Sequence, residues 1–118
     1  MSMINFHLFG IEVSPRCEIG SGLYLPHTHG TVIGAWTIGE NAVIYQGVTI
    51  GAKSLSLEYT ERVRPVLGND VLIGAGAKVI GGIKLGNNVS VGANSVVTKN
   101  VPDGLTVVGI PARPIGSK

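Results

Sequence analysis

The chain has 118 residues, enough for one modest domain, and a formal net charge of +2. It is 44% hydrophobic but only 5% aromatic and 14% charged, with 18 glycines, whereas low-complexity chains reach such glycine content without the aliphatic residues. One cysteine excludes an intrachain disulfide framework and a Cys-based zinc site, and no apolar run is long enough to cross a bilayer as a helix.

Residues 1–12 read as a short lead-in. Its apolar stretch, residues 4–11, lacks the basic leader and small-residue cleavage site of a secretory signal, so a cytoplasmic location is expected. A six-residue repeat then begins. Aliphatic residues stand at Val13, Ile19 and Leu25, at Val32, Ile38, Ile44 and Ile50, and at Leu67, Ile73, Val79, Leu85, Val91 and Val97. Many are followed by glycine, and the place two residues before each is mostly small or apolar, as at Cys17, Trp36, Ala42, Val48, Val71, Ala77 and Val89. Two inward places two residues apart are strand alternation, and a strict period of six does not fit an α-helix. Short strands joined by tight corners stack into a parallel β-helix, each coil burying its aliphatics on the next. The repeat is placed at residues 13–101, followed by a C-terminal extension over 102–118.

Two breaks interrupt the count. Leu25 to Val32 is seven residues, so the first corner holds one extra; Ile50 to Leu67 is seventeen, so a loop leaves the coil at about 52–66. Both breaks are polar, with Pro26-His27-Thr28-His29 in one and Glu58, Glu61, Arg62 and Arg64 in the other. Taking every third rung stacks Leu25, Ile44, Ile73 and Val91, and the corners two residues later give a file of His27, Gln46, Ala75 and Ala93. Coils about 4.8 Å apart give this file a span of roughly 14 Å. An imidazole stands at one end. Two alanines leave room beside the wall at the other, where a slender chain with a reactive tip fits. Glu12, one coil before His27, is placed to orient the imidazole. On strand alternation His29 points away from that site. His7 lies outside the repeat, and Cys17 belongs to the core.

Charge is unevenly spread. Residues 1–61 carry two basic and five acidic side chains, and residues 62–118 carry seven basic and two acidic. The second half suits an anionic partner. Nucleic acid has little support, because no aromatic platform interleaves with the basic residues.

The segments Ile73-Gly-Ala-Gly-Ala-Lys78, Val91-Gly-Ala-Asn-Ser-Val-Val-Thr-Lys99 and Val108-Gly-Ile-Pro-Ala-Arg113 resemble the C-terminal coils of hexapeptide acetyltransferases. From Glu12 to Arg113 the chain resembles the serine acetyltransferase family, whose signature Asp-His-Ala-Thr-Gly looks like Pro26-His27-Thr28-His29-Gly30 here. That resemblance implies a left-handed β-helix, a homotrimer with sites at subunit interfaces, and acetyl-CoA as co-substrate with no metal. Carried over position by position, His27 matches the catalytic base and Glu12 the acid that orients it. Ala75 and Ala93 match backbone contacts to the pantetheine arm, and Gly51 and Gly76 fall in the same coenzyme set. Thr98, Lys99 and Arg113 match the nucleotide end. Pro26 replaces the aspartate before the family histidine, and Arg64 before Pro65 replaces a second histidine, which makes Arg64 a candidate acceptor-binding residue. The helical N-terminal domain of the family has no counterpart in the ten or so residues before the first rung.

The expected activity is O-acetylation of a small hydroxyl acceptor, serine or a sugar hydroxyl, by direct transfer from acetyl-CoA. The alternative is a non-catalytic hexapeptide solenoid that binds or builds. A zinc enzyme on the same fold is a weaker rival, since His27 and His29 would point apart and the repeat supplies no third ligand.

Overall fold

A computed structural model describes residues 6–8, 11–14, 16–27, 29–53, 60 and 62–115. The described residues build three sheets that face one another around a single aliphatic core. Sheet A holds β1 (Phe6–Leu8), β2 (Ile11–Val13), β4 (Thr31–Ile33), β7 (Thr49–Gly51), β10 (Lys78–Ile80) and β13 (Val96–Val97). Sheet B holds β3 (Glu18–Ile19), β5 (Thr37–Ile38), β8 (Val66–Leu67) and β11 (Lys84–Leu85). Sheet C holds β6 (Val43–Ile44), β9 (Leu72–Ile73), β12 (Ser90–Val91), β14 (Thr106–Val108) and β15 (Arg113–Pro114). The chain visits A, B and C in turn, and each strand pairs in parallel with its counterpart one coil on. Single bridges, Tyr24 to Val43 and Leu85 to Val101, fill the remaining places in sheets C and B.

This is the expected parallel β-helix. Ile44, Ile73 and Val91 stack on one another in sheet C, and Ile38, Leu67 and Leu85 in sheet B. All six are buried. Cys17, Ala42, Val48, Val71, Ala77 and Val89 are also fully enclosed, as alternation requires. Trp36 is only half-buried, and Ala35 beside it is enclosed instead. Pairing extends beyond both ends of the hexad count. At the start β1 runs antiparallel to β2, and at the end β15 folds back antiparallel on β14, which itself continues sheet C one coil beyond β12.

One rung differs from the sequence reading. Val13 pairs with Ile33, and Ile33 with Ile50. Ile33 is fully buried while Val32 is 38% exposed. The first break therefore carries two extra residues, not one, and the following corner is one residue short. A tight turn through Gly34 and Ala35 absorbs that deficit, because Ala35 is small enough to lie inside it.

The corner from sheet B to sheet C shows how coils are joined. Asn41, Asp70 and Asn88 there adopt left-handed backbones, with φ of 60°, 58° and 59°. Side chains from each coil cap the coil before it: the Glu40 amide donates to Asn69 Oδ1 (2.8 Å), the Asn69 amide to Asn87 Oδ1 (2.7 Å) and the Asn87 amide to Asp103 Oδ1 (2.8 Å). Gly39 is obligatory beside this ladder, since a Cβ there would stand 2.6 Å from the Gly68 carbonyl carbon.

The corrected register is open to measurement. Ile33→Ala should cost about 2–5 kcal/mol of stability, as expected for a buried aliphatic. Val32→Thr should stay within about 0.5 kcal/mol, as surface changes do. Urea unfolding of the two variants decides the point, and the reverse order of losses would restore Val32 to the interior.

Candidate functional site

The corner leading from sheet C into sheet A carries the polar file. Its members are aligned by backbone hydrogen bonds between coils. The Asn94 amide donates to the Ala75 carbonyl (2.8 Å), the Gly76 amide to the Gln46 carbonyl (2.9 Å) and the Gly47 amide to the His29 carbonyl (2.8 Å). The residue after each file member turns with positive φ: Gly30 and Gly47 at 71°, Gly76 at 74°, Asn94 at 60°. The file thus runs His29, Gln46, Ala75, Ala93. It continues to Gly109, because Val91 pairs with Val107 and the corner follows two residues later.

His29 takes the place that the sequence reading assigned to His27. The cause is the second extra residue of the break. His27 lies in the widened corner between Leu25 and the turn and is exposed. Strand alternation, on which His29 was expected to point away, does not apply across such a widened corner.

Glu12 sits mid-strand in β2, flanked by His7 on one side and Val32 on the other. It is half-buried on the outer face of sheet A, one coil below the corner that carries His27. No hydrogen bond joins Glu12 to His27 among the described residues.

The coenzyme candidates divide between two corners. Ala75, Gly76 and Ala93 lie on the file. Gly51 ends β7 at the opposite margin of sheet A, where an added Cβ would meet only open space. Thr98, Lys99 and Arg113 converge on a cleft of about 240 Å³ beneath the last coil, floored by Val97, Val101 and Val107. Lys78, which the sequence reading passed over, flanks the file, with its ammonium donating to the Gly76 carbonyl at 3.1 Å. Its basic charge on an outward strand place was the available signal.

Arg64 is engaged elsewhere. Its guanidinium donates to the Gly34 carbonyl (3.0 Å) and packs so closely that a Cβ on Gly34 would stand 2.8 Å from it. It therefore fastens the end of the excursion loop to the sheet A–sheet B corner, away from His27 within one subunit. Glu58 and Glu61 lie outside the described residues. Among the described residues no group of three histidine, cysteine, aspartate or glutamate side chains gathers as a metal site would.

Comparison with known proteins decides the family. Residues 64–99 match the family model described as bacterial transferase hexapeptide (six repeats). A serine acetyltransferase from Staphylococcus aureus is 48% identical over 112 residues, which is 94% of this chain and 51% of that protein. The chain belongs to the hexapeptide-repeat transferases. The serine acetyltransferase of Synechococcus elongatus is 44% identical over 98% of the chain and 46% of its own length. Among solved structures, serine acetyltransferase from Neisseria gonorrhoeae superposes with a TM-score of 0.82 at 38% identity, over 91% of this chain and 40% of that one. The Brucella abortus enzyme in complex with coenzyme A gives 0.79 at 42%, over 89% and 41%. The shared fold is the left-handed β-helix. The chain spans about half the length of the relatives it matches.

Cys17 stands apart from this chemistry. Burial pushes its thiol up to about 11, and the backbone at Ala35 and the charge of Arg64 offset that only in part. A thiol whose pKa is raised stays protonated, and hence unreactive, until the pH approaches that value. The folded protein should show no fast-reacting thiol toward an aromatic disulfide reagent at pH 8, and one after unfolding in guanidinium. Rapid native labelling would place Cys17 at the surface.

Proposed function

We propose that this chain carries the acyl-transfer site of an acetyl-CoA-dependent O-acetyltransferase whose acceptor is a small hydroxyl compound. The observation that carries the proposal is the edge file, where bulky polar residues give way to Ala75, Ala93 and Gly109 and then to the basic cleft. A narrow track with a cationic end fits a thioester on a long arm with phosphates at its far end. Coenzyme A in the Brucella complex, on the same fold, supports that assignment.

His27 acts as general base. It takes the proton of the acceptor hydroxyl as the oxygen attacks the thioester carbonyl. When the carbon–sulfur bond breaks, the imidazolium returns the proton to the leaving thiolate, giving the acetyl ester and free coenzyme A. Backbone N–H groups at the corner are suited to the oxyanion. Glu12, one coil earlier, is the acid that orients the imidazole.

The split of candidates between the two margins of sheet A supports a homotrimer. Gly51 and Arg64 on one subunit's margin complete the site only if they face the His27 margin of a neighbour. The non-catalytic alternative offers no reason for a histidine corner and an alanine track to share one edge with a basic cleft at the end of the prism.

Three measurements test this reading. His27→Ala should lower kcat by about 10²–10⁴-fold, the usual contribution of a general base, with acetyl-CoA affinity by calorimetry little changed. Near-normal turnover would remove His27 from the mechanism. Ala93→Trp should block the track and weaken acetyl-CoA binding without unfolding the coil, while Lys99→Ala should weaken coenzyme A more than its dephospho form. Light scattering should give three times the chain mass, and a stable monomer at assay concentration would count against a shared site.

A further inference from the structure

Lys78 is a cation beside the track that the proposed chemistry does not use. It stands exposed on an outward place of β10, and its ammonium donates to the Gly76 carbonyl at 3.1 Å. Gly76 is the turn residue behind Ala75, and its amide binds the Gln46 carbonyl at 2.9 Å. The charge is thus held beside the track at the level of Ala75. Pairing sets Glu12, Val32, Thr49, Lys78 and Val96 in one row along this flank. Of these described residues Lys78 alone is cationic and Glu12 alone anionic. Glu12 is three coils away, and roughly 14 Å is farther than exposed charges attract one another through physiological salt. With one N–H of the ammonium on Gly76, the others remain for a ligand.

Height along the prism decides which ligand group it meets. Lys78 lies two coils from His29, about 10 Å along the axis. A small acceptor with its hydroxyl at the His27 corner does not span that distance. An extended chain advances about 1.2 Å per bond. With the thioester at the histidine corner, the second amide carbonyl of a pantetheine arm, about eight bonds from the sulfur, falls roughly 10 Å along the track. The first phosphorus, about thirteen bonds from the sulfur, falls roughly 16 Å along, more than one coil further. That is toward the cleft lined by Thr98, Lys99 and Arg113.

We infer that Lys78 is a coenzyme-binding residue that donates a hydrogen bond to the second amide carbonyl of the pantetheine arm, the one nearer the phosphates. A bond from an ammonium is stronger than one between neutral groups. It fixes how far the arm slides along the track, and so holds the thioester level with the histidine corner. This rests on the acetyl-CoA reading and adds a residue to that site.

The test uses the intact chain and three acetyl donors with one acceptor in common. They are acetyl-CoA, S-acetylpantetheine, which lacks the phosphates, and S-acetyl-N-acetylcysteamine, which ends before the second amide. Lys78→Met should lower kcat/KM about 10-fold for the first two alike, and the loss should vanish with the third. Lys78→Arg should restore part of it. A loss confined to acetyl-CoA would assign Lys78 to a phosphate, and an equal loss with all three donors to the fold. Either result overturns the inference, as does no loss at all. Calorimetry with coenzyme A and with pantetheine needs no acceptor and separates this from the parent reading. If neither ligand binds the unaltered protein, the acetyltransferase reading falls and takes Lys78 with it. Binding that Lys78→Met leaves intact rejects Lys78 alone.

Discussion

Everything in this molecule depends on the vertical backbone hydrogen bond, by which each coil donates to and accepts from the same places on its neighbours. It turns a linear sequence into files. Once Ile44 sits over Ile73 and Ile73 over Val91, the residues at every intervening corner are also brought into line. Core and site are therefore built by one device. The aliphatics that hold the prism together decide, by their spacing, which polar side chains share an edge.

That dependence explains why insertions matter so much here. Within a coil, adding a residue would flip every later side chain from inside to outside. At a corner the extra length is absorbed locally, and the register recovers. The widened first break leaves Ile33 paired with Val13 and sets His29 rather than His27 on the coil-to-coil hydrogen bond at the corner. The long loop after Gly51 returns the chain to sheet B at Val66 without disturbing the pairing of Leu67 with Ile38. Chemistry collects at such places because they alone are free of the repeat. Arg64 shows the converse, a polar side chain in a break that is drawn into holding the break closed.

The three-sided helix was legible in the sequence because a period of six leaves little choice, and the core positions followed from alternation. The C-terminal coil was less visible. Val97, Val101 and Val107 are unevenly spaced, so the pairing of β14 with β12 depends on contacts that no local period encodes. The choice of Val32 over Ile33 failed for a different reason. Both are β-branched aliphatics, and only the depth of the preceding corner decides which turns inward. Counting forward from Leu25 sets His27 in the file, whereas both extra residues fall before the turn at Gly30, which gives that place to His29. Thr98, Lys99 and Arg113, which the family likeness sets at the nucleotide end, line one cleft. Gly51 was grouped with Ala75, but the two lie on opposite margins of sheet A, because sequence spacing alone does not reveal which corner of a neighbour each would meet.

The side-chain ladder along Asn69, Asn87 and Asp103 has a direction: every cap comes from the later coil and serves the earlier one. During synthesis the chain leaves the ribosome earlier coils first. The Glu40 amide therefore waits for Asn69, and the Asn69 amide for Asn87, before either is satisfied. Each newly emerged turn of the solenoid is finished only by the arrival of its successor. Asp103 closes the row among the described residues, and a ribosome stalled before it would hold a nascent chain with an unsealed edge.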